Sequence, residues 1–76
     1  MREFDLGEAI AGKPVCTRDG RKVRILCFDR VYTNREIIGL VPSYHFTGTR
    51  EDLYSWSIGG KISLFEKDDF DLMIVD

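Results

Sequence analysis

Two stretches of the chain alternate with the period of a half-buried strand. Pro14-Val15-Cys16-Thr17 and the run from Lys22 to Arg30 flank Arg18-Asp19-Gly20-Arg21. Asp-Gly suits a two-residue hairpin turn, because both central residues take positive φ and Gly accepts it freely. This register pairs Thr17 with Lys22, Cys16 with Val23, Val15 with Arg24 and Pro14 with Ile25. It predicts a core face of Pro14, Cys16, Val23, Ile25 and Cys27. Val15, Thr17, Lys22, Arg24, Leu26 and Phe28 fall on the other face, which is charged near the turn and apolar at Leu26 and Phe28. A second hairpin follows from the alternation in Asp52–Ile58, the Gly59-Gly60 pair and the return through Lys61–Phe65. Ile58 then pairs with Lys61, Trp56 with Ser63 and Tyr54 with Phe65. Tyr54, Trp56, Ile58, Ser63 and Phe65 share one face; Leu53, Ser55, Ser57, Ile62 and Leu64 share the other.

Between and around these hairpins the punctuation is local. Phe4–Gly12 reads as a short helix, with Asp5 as N-cap, Glu8 at capping-box spacing and Gly12 just past the end, ahead of Pro14. Its apolar stripe of Leu6, Ala9 and Ile10 must dock on the sheet, since so short a helix cannot stand alone. Val31–Arg35 reads as a loop. Glu36–Pro42 is a strand ended by proline, in which Gly39 marks a bulge or a close approach by another group. Ser43–Glu51 is expected to be the longest irregular stretch, Glu66–Asp69 a charged turn, and Phe70–Val75 a closing strand, with a short helix as the alternative. The sum is mainly β within an α+β frame: a short N-terminal helix, then five or six antiparallel strands forming a small open barrel or a twisted sheet.

With 76 residues the chain is expected to be one domain, 1–76, near the lower limit for a self-sufficient core. Such a chain buries only ~60% of the surface that it exposes when unfolded, and oligomerisation would relieve the shortage. A net charge of −2 gives no footprint for nucleic acid, which is therefore not expected as a partner. Neither an apolar run of membrane length nor a signal peptide is evident, so the expectation is a soluble, cytoplasmic protein with no membrane partner. In the register above, Cys27 lies four positions along the strand from the partner of Cys16. That is about 13 Å, too far for a disulfide, which leaves two reduced, buried thiols.

Candidate chemistry is sparse. His45, the only histidine, has no adjacent nucleophile or carboxylate pair. Ser55, Ser57 and Ser63 lie on strands rather than on the sharp turn that activates a serine. Asp68, Asp69 and Asp71 lack the ligand number and spacing of a calcium loop. No cysteine–histidine spacing supports a zinc site, and no glycine pattern forms a phosphate loop. Catalytic residues, metal and cofactor are therefore expected to be none, with a phosphoesterase as the enzymatic alternative. What stands out is arginine alongside aromatic residues: guanidinium groups hold phosphate or carboxylate bidentately, and flat rings stack on bases.

From Phe4 to Arg24 the pattern F-D-L-x-x-A-x-A-G-x-P-V-x-T-R-D-G-R-x-V-R resembles the start of a group of small proteins encoded by phages and prophages. Similarity continues more weakly through Ile38-Gly39, Tyr54-Ser55-Trp56 with Gly60-Lys61, and Asp71-Leu72-Met73. The resemblance implies a compact protein that acts by binding, including capture of a host protein or of a nucleotide-derived signal in evasion of host defence. The reading that results is a non-enzymatic, self-associating protein that captures a small anionic nucleotide-like ligand at a subunit interface. Arg18, Arg24 and Arg50 would hold phosphates, Tyr54 or Trp56 would stack, and His45 would contribute from its loop. The alternative is a module that docks on a host or phage protein through an exposed apolar sheet face.

Overall fold

The computed structural model describes all 76 residues apart from the side chain of His45. Its elements are β1 (Arg2–Glu3), α1 (Leu6–Ile10), β2 (Val15–Thr17), β3 (Lys22–Cys27), β4 (Ile37–His45), β5 (Gly48–Trp56) and β6 (Leu72–Ile74). The strands form one open sheet in the order β1-β6-β2-β3-β4-β5, every neighbouring pair antiparallel. The mainly β expectation holds, as an open sheet. The helix begins as its sequence dictates: the Asp5 carboxylate accepts from the Glu8 amide at 2.9 Å. Gly12 takes positive φ just beyond its end. Ala9 is buried and Leu6 half-buried, but Ile10 is exposed, so the docking stripe is narrower than expected. The closing segment is a strand, shortened to β6, and it lies between β1 and β2 rather than at an edge. β1, at two residues, is too short to carry a readable period.

The first hairpin forms with a register shifted by one residue. Val15 pairs with Val23 and Cys16 with Lys22. The reason lies in the turn. The Gly20 amide donates to the Thr17 carbonyl at 2.9 Å and the Thr17 amide to the Arg21 carbonyl at 2.8 Å, so three residues form the loop and only Gly20 has positive φ. The Thr17 hydroxyl accepts from the Arg21 amide at 2.9 Å and locks this form. Ser57 repeats it. The Gly60 amide donates to the Ser57 carbonyl at 2.8 Å, the Ser57 amide to the Lys61 carbonyl at 3.1 Å, and the Lys61 amide to the Ser57 hydroxyl at 3.3 Å. Both turns thus share a hydroxyl residue, two intervening residues, a left-handed glycine and a basic residue. After the second turn no strand returns. The expected Lys61–Phe65 strand is irregular, and β5 instead pairs with β4 from Ile37↔Trp56 to His45↔Gly48.

That pairing also overturns the expected loop over Ser43–Glu51, which forms the far half of the β4–β5 hairpin. Pro42 does not end β4. Its carbonyl accepts from Arg21 Nη1 at 3.4 Å, on the β3 side, so the missing N–H removes no bond to β5.

A one-residue slip exchanges the faces of a strand, and here two slips decide the core. The turn brings Val15 rather than Cys16 beside Val23. Further along β3, Ile25 pairs with Gly39 and Cys27 with Ile38, so Leu26 is an extra residue in a β-bulge. The bulge turns Phe28, not Cys27, to the core. Val15, Val23, Ile37, Val41, Trp56, Leu72 and Ile74 form that core with Ala9, covered by Phe4, Leu6, Phe28, Ile62 and Phe70. Both cysteines are free; Cys16 is buried, and Cys27 only half-buried. Gly39 is tightly enclosed. A Cβ there would lie 3.0 Å from the Arg24 carbonyl oxygen and 3.1 Å from Cζ3 of Trp56.

Gly60 holds φ 76°, and a Cβ on it would lie 2.8 Å from Cγ of Phe4. Gly60→Ala is therefore expected to destabilise the fold by about 2 kcal/mol or more, combining left-handed strain with displacement of Phe4. Urea unfolding checks this; an unchanged midpoint would refute the turn geometry.

Candidate interaction surface

The residues expected to bind an anion do not share one place. Trp56 is wholly buried, and its indole N–H donates to the Phe70 carbonyl at 2.7 Å. It is a core residue lying against Gly39. Tyr54 is half-buried and stacks on Phe70 with ring centroids 5.0 Å apart. Arg50 shares the Tyr54 and Trp56 side of β5, but lies further out on the hairpin, with Nε 3.4 Å from Asp52 Oδ1. Arg24 lies on the opposite face of the sheet and donates to Glu51 Oε2 at 2.7 Å. Arg18 sits in the first turn, its Nη2 3.7 Å from Asp71 Oδ2. His45 pairs through its backbone with Gly48 at the end of the hairpin, and its side chain lies outside the described residues.

Three other residues carry the organised polar contacts. Arg21 places its guanidinium 5.0 Å from the Phe70 ring centroid, so an arginine–aromatic stack exists with a different arginine from those expected. Arg21 stands two residues before Val23 and so shares its side of the strand. Asp71 is fully buried and accepts from the Ile62 amide at 2.9 Å and the Asp68 amide at 3.1 Å. Lys61 Nζ stands 3.8 Å from the same carboxylate. Asp71 therefore joins both turns to the start of β6, and its oxygens are committed to backbone. Arg35 donates to the Ser55 hydroxyl at 2.9 Å, the Ser55 carbonyl at 2.6 Å and the Ile62 carbonyl at 2.9 Å. It fastens the end of β5 to the loop that follows. The inventory of arginines includes Arg21 and Arg35, but only register singles them out.

The helix and the 57–71 loop cover the core face, leaving the reverse of β3–β4–β5 open. Across it Arg24, Leu40 and Leu53 form one row, with Ile38 beside Ser55, Pro42 beside Glu51 and Tyr44 beside Thr49. Leu53 is 64% exposed, Leu26 57% and Tyr44 79%, while Ile38 and Leu40 are half-buried. Beyond Lys22, where β3 begins, β4 and β5 continue as a two-stranded ribbon whose tip bears a fully exposed Phe46. At the other end of the sheet an apolar pocket of about 470 Å³ is lined by Met1, Pro14, Val15, Cys16, Lys22 and Val75. The Cys16 thiol sits 3.7 Å from the Met1 sulfur, and burial pushes its pKa up, which disfavours a reactive thiolate there. The outer surface is thus apolar at both ends, with the Arg24–Glu51 ion pair between.

No helix among the described residues is long and apolar enough to cross a membrane. No curated protein and no solved structure matches the chain. The match that does emerge spans residues 1–75 and is to the family model described as Haemophilus phage HP1 protein YO09. By that near-complete match, the chain belongs to the family of this small phage protein.

Proposed function

We propose that the protein is a non-enzymatic phage binding protein that docks on another protein, of host or phage, through the open face of β3, β4 and β5. The observation that supports this reading is the exposed Leu26, Leu53 and Tyr44 beside half-buried Ile38 and Leu40, on the sheet face that the helix and loop leave uncovered. Exposed apolar residues on either side of a cross-strand ion pair fit a partner surface that matches both the apolar groups and the charges. Capture of a nucleotide-derived anion draws less support, because Arg24 and the rings of Tyr54 and Trp56 lie on opposite faces. In this reading the protein works as a homo-oligomer whose copies enlarge the docking face.

A photo-reactive residue at position 44, on this face of β4 and away from the β5 edge, tests the face directly. In phage-infected cells it is expected to crosslink one protein, and Leu40→Lys on the same face is expected to abolish that product. The purified pair should then associate, with the lysine variant at least about tenfold weaker, which corresponds to removing one central apolar contact. Crosslinks that persist in the lysine variant, or that form equally from position 67 in the charged turn, would contradict the proposal.

A further inference from the structure

The sheet has two edges, and they differ. β1 is two residues long, whereas β5 runs for nine and has β4 on one side only. In an antiparallel ladder each residue turns its N–H and C=O to the same side, alternating along the strand. The Ser55 carbonyl points away from β4, because it accepts from Arg35. By that alternation Thr49, Glu51 and Leu53 point outward too. Pro42 agrees: it pairs in register with Glu51, yet turns its carbonyl to the β3 side. Among the described residues, no group bonds the outward amides and carbonyls of Thr49, Glu51 and Leu53.

We infer that two copies of this chain pair antiparallel along β5, about a two-fold axis at Glu51. The inference deepens the reading of the protein as self-associating and rests on it. Charge selects the register. With the axis at Glu51, Arg50 faces Asp52 of the partner subunit, and the reverse pair forms by symmetry. Thr49 faces Leu53 of the partner subunit, and the two Glu51 side chains meet with each already held by its own Arg24. Axes at Arg50 or Asp52 would set like charges face to face and leave the Arg50–Asp52 pairs across the axis unformed. An axis at Leu53 would need the Ser55 carbonyl that Arg35 occupies. One at Thr49 would carry the pairing past Gly48, where the strand begins. The outward-facing backbone groups of Thr49, Glu51 and Leu53 are themselves centred on Glu51. Edge charges usually blunt such pairing, but Arg50 and Asp52 are placed so that an inverted copy satisfies both. Each now contacts the other within its own strand at 3.4 Å, and pairing exchanges these partners.

Light scattering on the whole chain tests this. The wild type is expected to be a dimer. Arg50→Asp sets acid against acid across the axis and Asp52→Arg sets base against base, so each should raise the dimer dissociation constant at least about tenfold. Mixed in equal amounts, the two variants should recover the dimer, because their charges complement each other. A monomeric wild type would overturn both this pairing and self-association. A wild-type oligomer that both variants preserve, or variants that fail to recover on mixing, would overturn the β5 register and leave self-association standing. Amide exchange of the wild type against concentration needs no variant: slowing at Thr49, Glu51 and Leu53 supports the pairing, and its absence in a dimer refutes it.

Discussion

Asp71→Ala is expected to be among the most damaging single substitutions in the chain, at about 3–5 kcal/mol. The carboxylate is wholly buried and accepts from the amides of Ile62 and Asp68, while Arg18 and Lys61 direct their charges at it. Alanine strands two backbone donors and leaves the partly buried Arg18 only the exposed Glu3 carboxylate, 4.0 Å away. A chain of this size holds a total stability of roughly 4–11 kcal/mol, so much of it would go. The melting temperature should fall by roughly 15 °C or more. Asp71→Asn keeps one acceptor but points an N–H₂ group at a backbone amide, and should fall between the two. Calorimetry on the three proteins checks the order; an alanine variant as stable as the wild type would show that the carboxylate does not join the turns to β6.

Trp56→Ala should cost a similar amount, about 3–5 kcal/mol, through the cavity left in the core and the loss of the bond to the Phe70 carbonyl. The tryptophan fits only because position 39 has no side chain. Gly39→Ala would set a Cβ 3.1 Å from its ring and 3.2 Å from Val23 Cγ1, and should cost about 1–3 kcal/mol by overpacking. The two sites are therefore coupled. Gly39→Ala made in the Trp56→Ala background should cost less than it does alone, because the ring has gone while the Arg24 carbonyl and Val23 remain. Urea denaturation of the four proteins closes the cycle. Additive effects would mean that the indole does not pack on Gly39.

Local signals in the sequence were sufficient for features decided locally. Asp5 and Gly12 delimit the helix because a cap and a left-handed residue act within one turn of chain. Gly39 marked a close approach, and the approaching group is Trp56 from β5. Register was harder. Asp19-Gly20 fits a two-residue turn, but the Thr17 hydroxyl binding the Arg21 amide tips it to three residues, a bond that composition does not announce. The bulge at Leu26 adds a second slip, and together they exchange Cys16 and Cys27 for Val15 and Phe28 in the core. The second hairpin forms one element earlier than the Gly59-Gly60 turn suggests. Asp52–Trp56 does alternate, but its partner is the segment read as a loop, where Pro42, Ser43 and Gly48 resemble breakers. Proline is tolerated there because its nitrogen faces the side on which β3 has just begun.

The candidate site was less legible for the same reason. Arginines and aromatics can be counted, but which of them meet depends on which face each residue takes. Arg21 rather than Arg18 lies over an aromatic ring, and that ring is Phe70 rather than Tyr54 or Trp56. The excess of apolar surface was readable, since Leu26 and Leu53 could not all be hidden by one short helix. Where it gathers follows from the extent of β4 and β5, which carry their outer face and free edge beyond the rest of the sheet.

The β4–β5 ribbon as the working surface is tested most directly by residue-resolved amide hydrogen exchange at low and high protein concentration. The account predicts that exchange at Thr49, Glu51 and Leu53 slows as concentration rises, while Arg50, Asp52 and Tyr54, turned toward β4, do not change. Equal rates at all concentrations, or slowing confined to the short β1 edge, would contradict it.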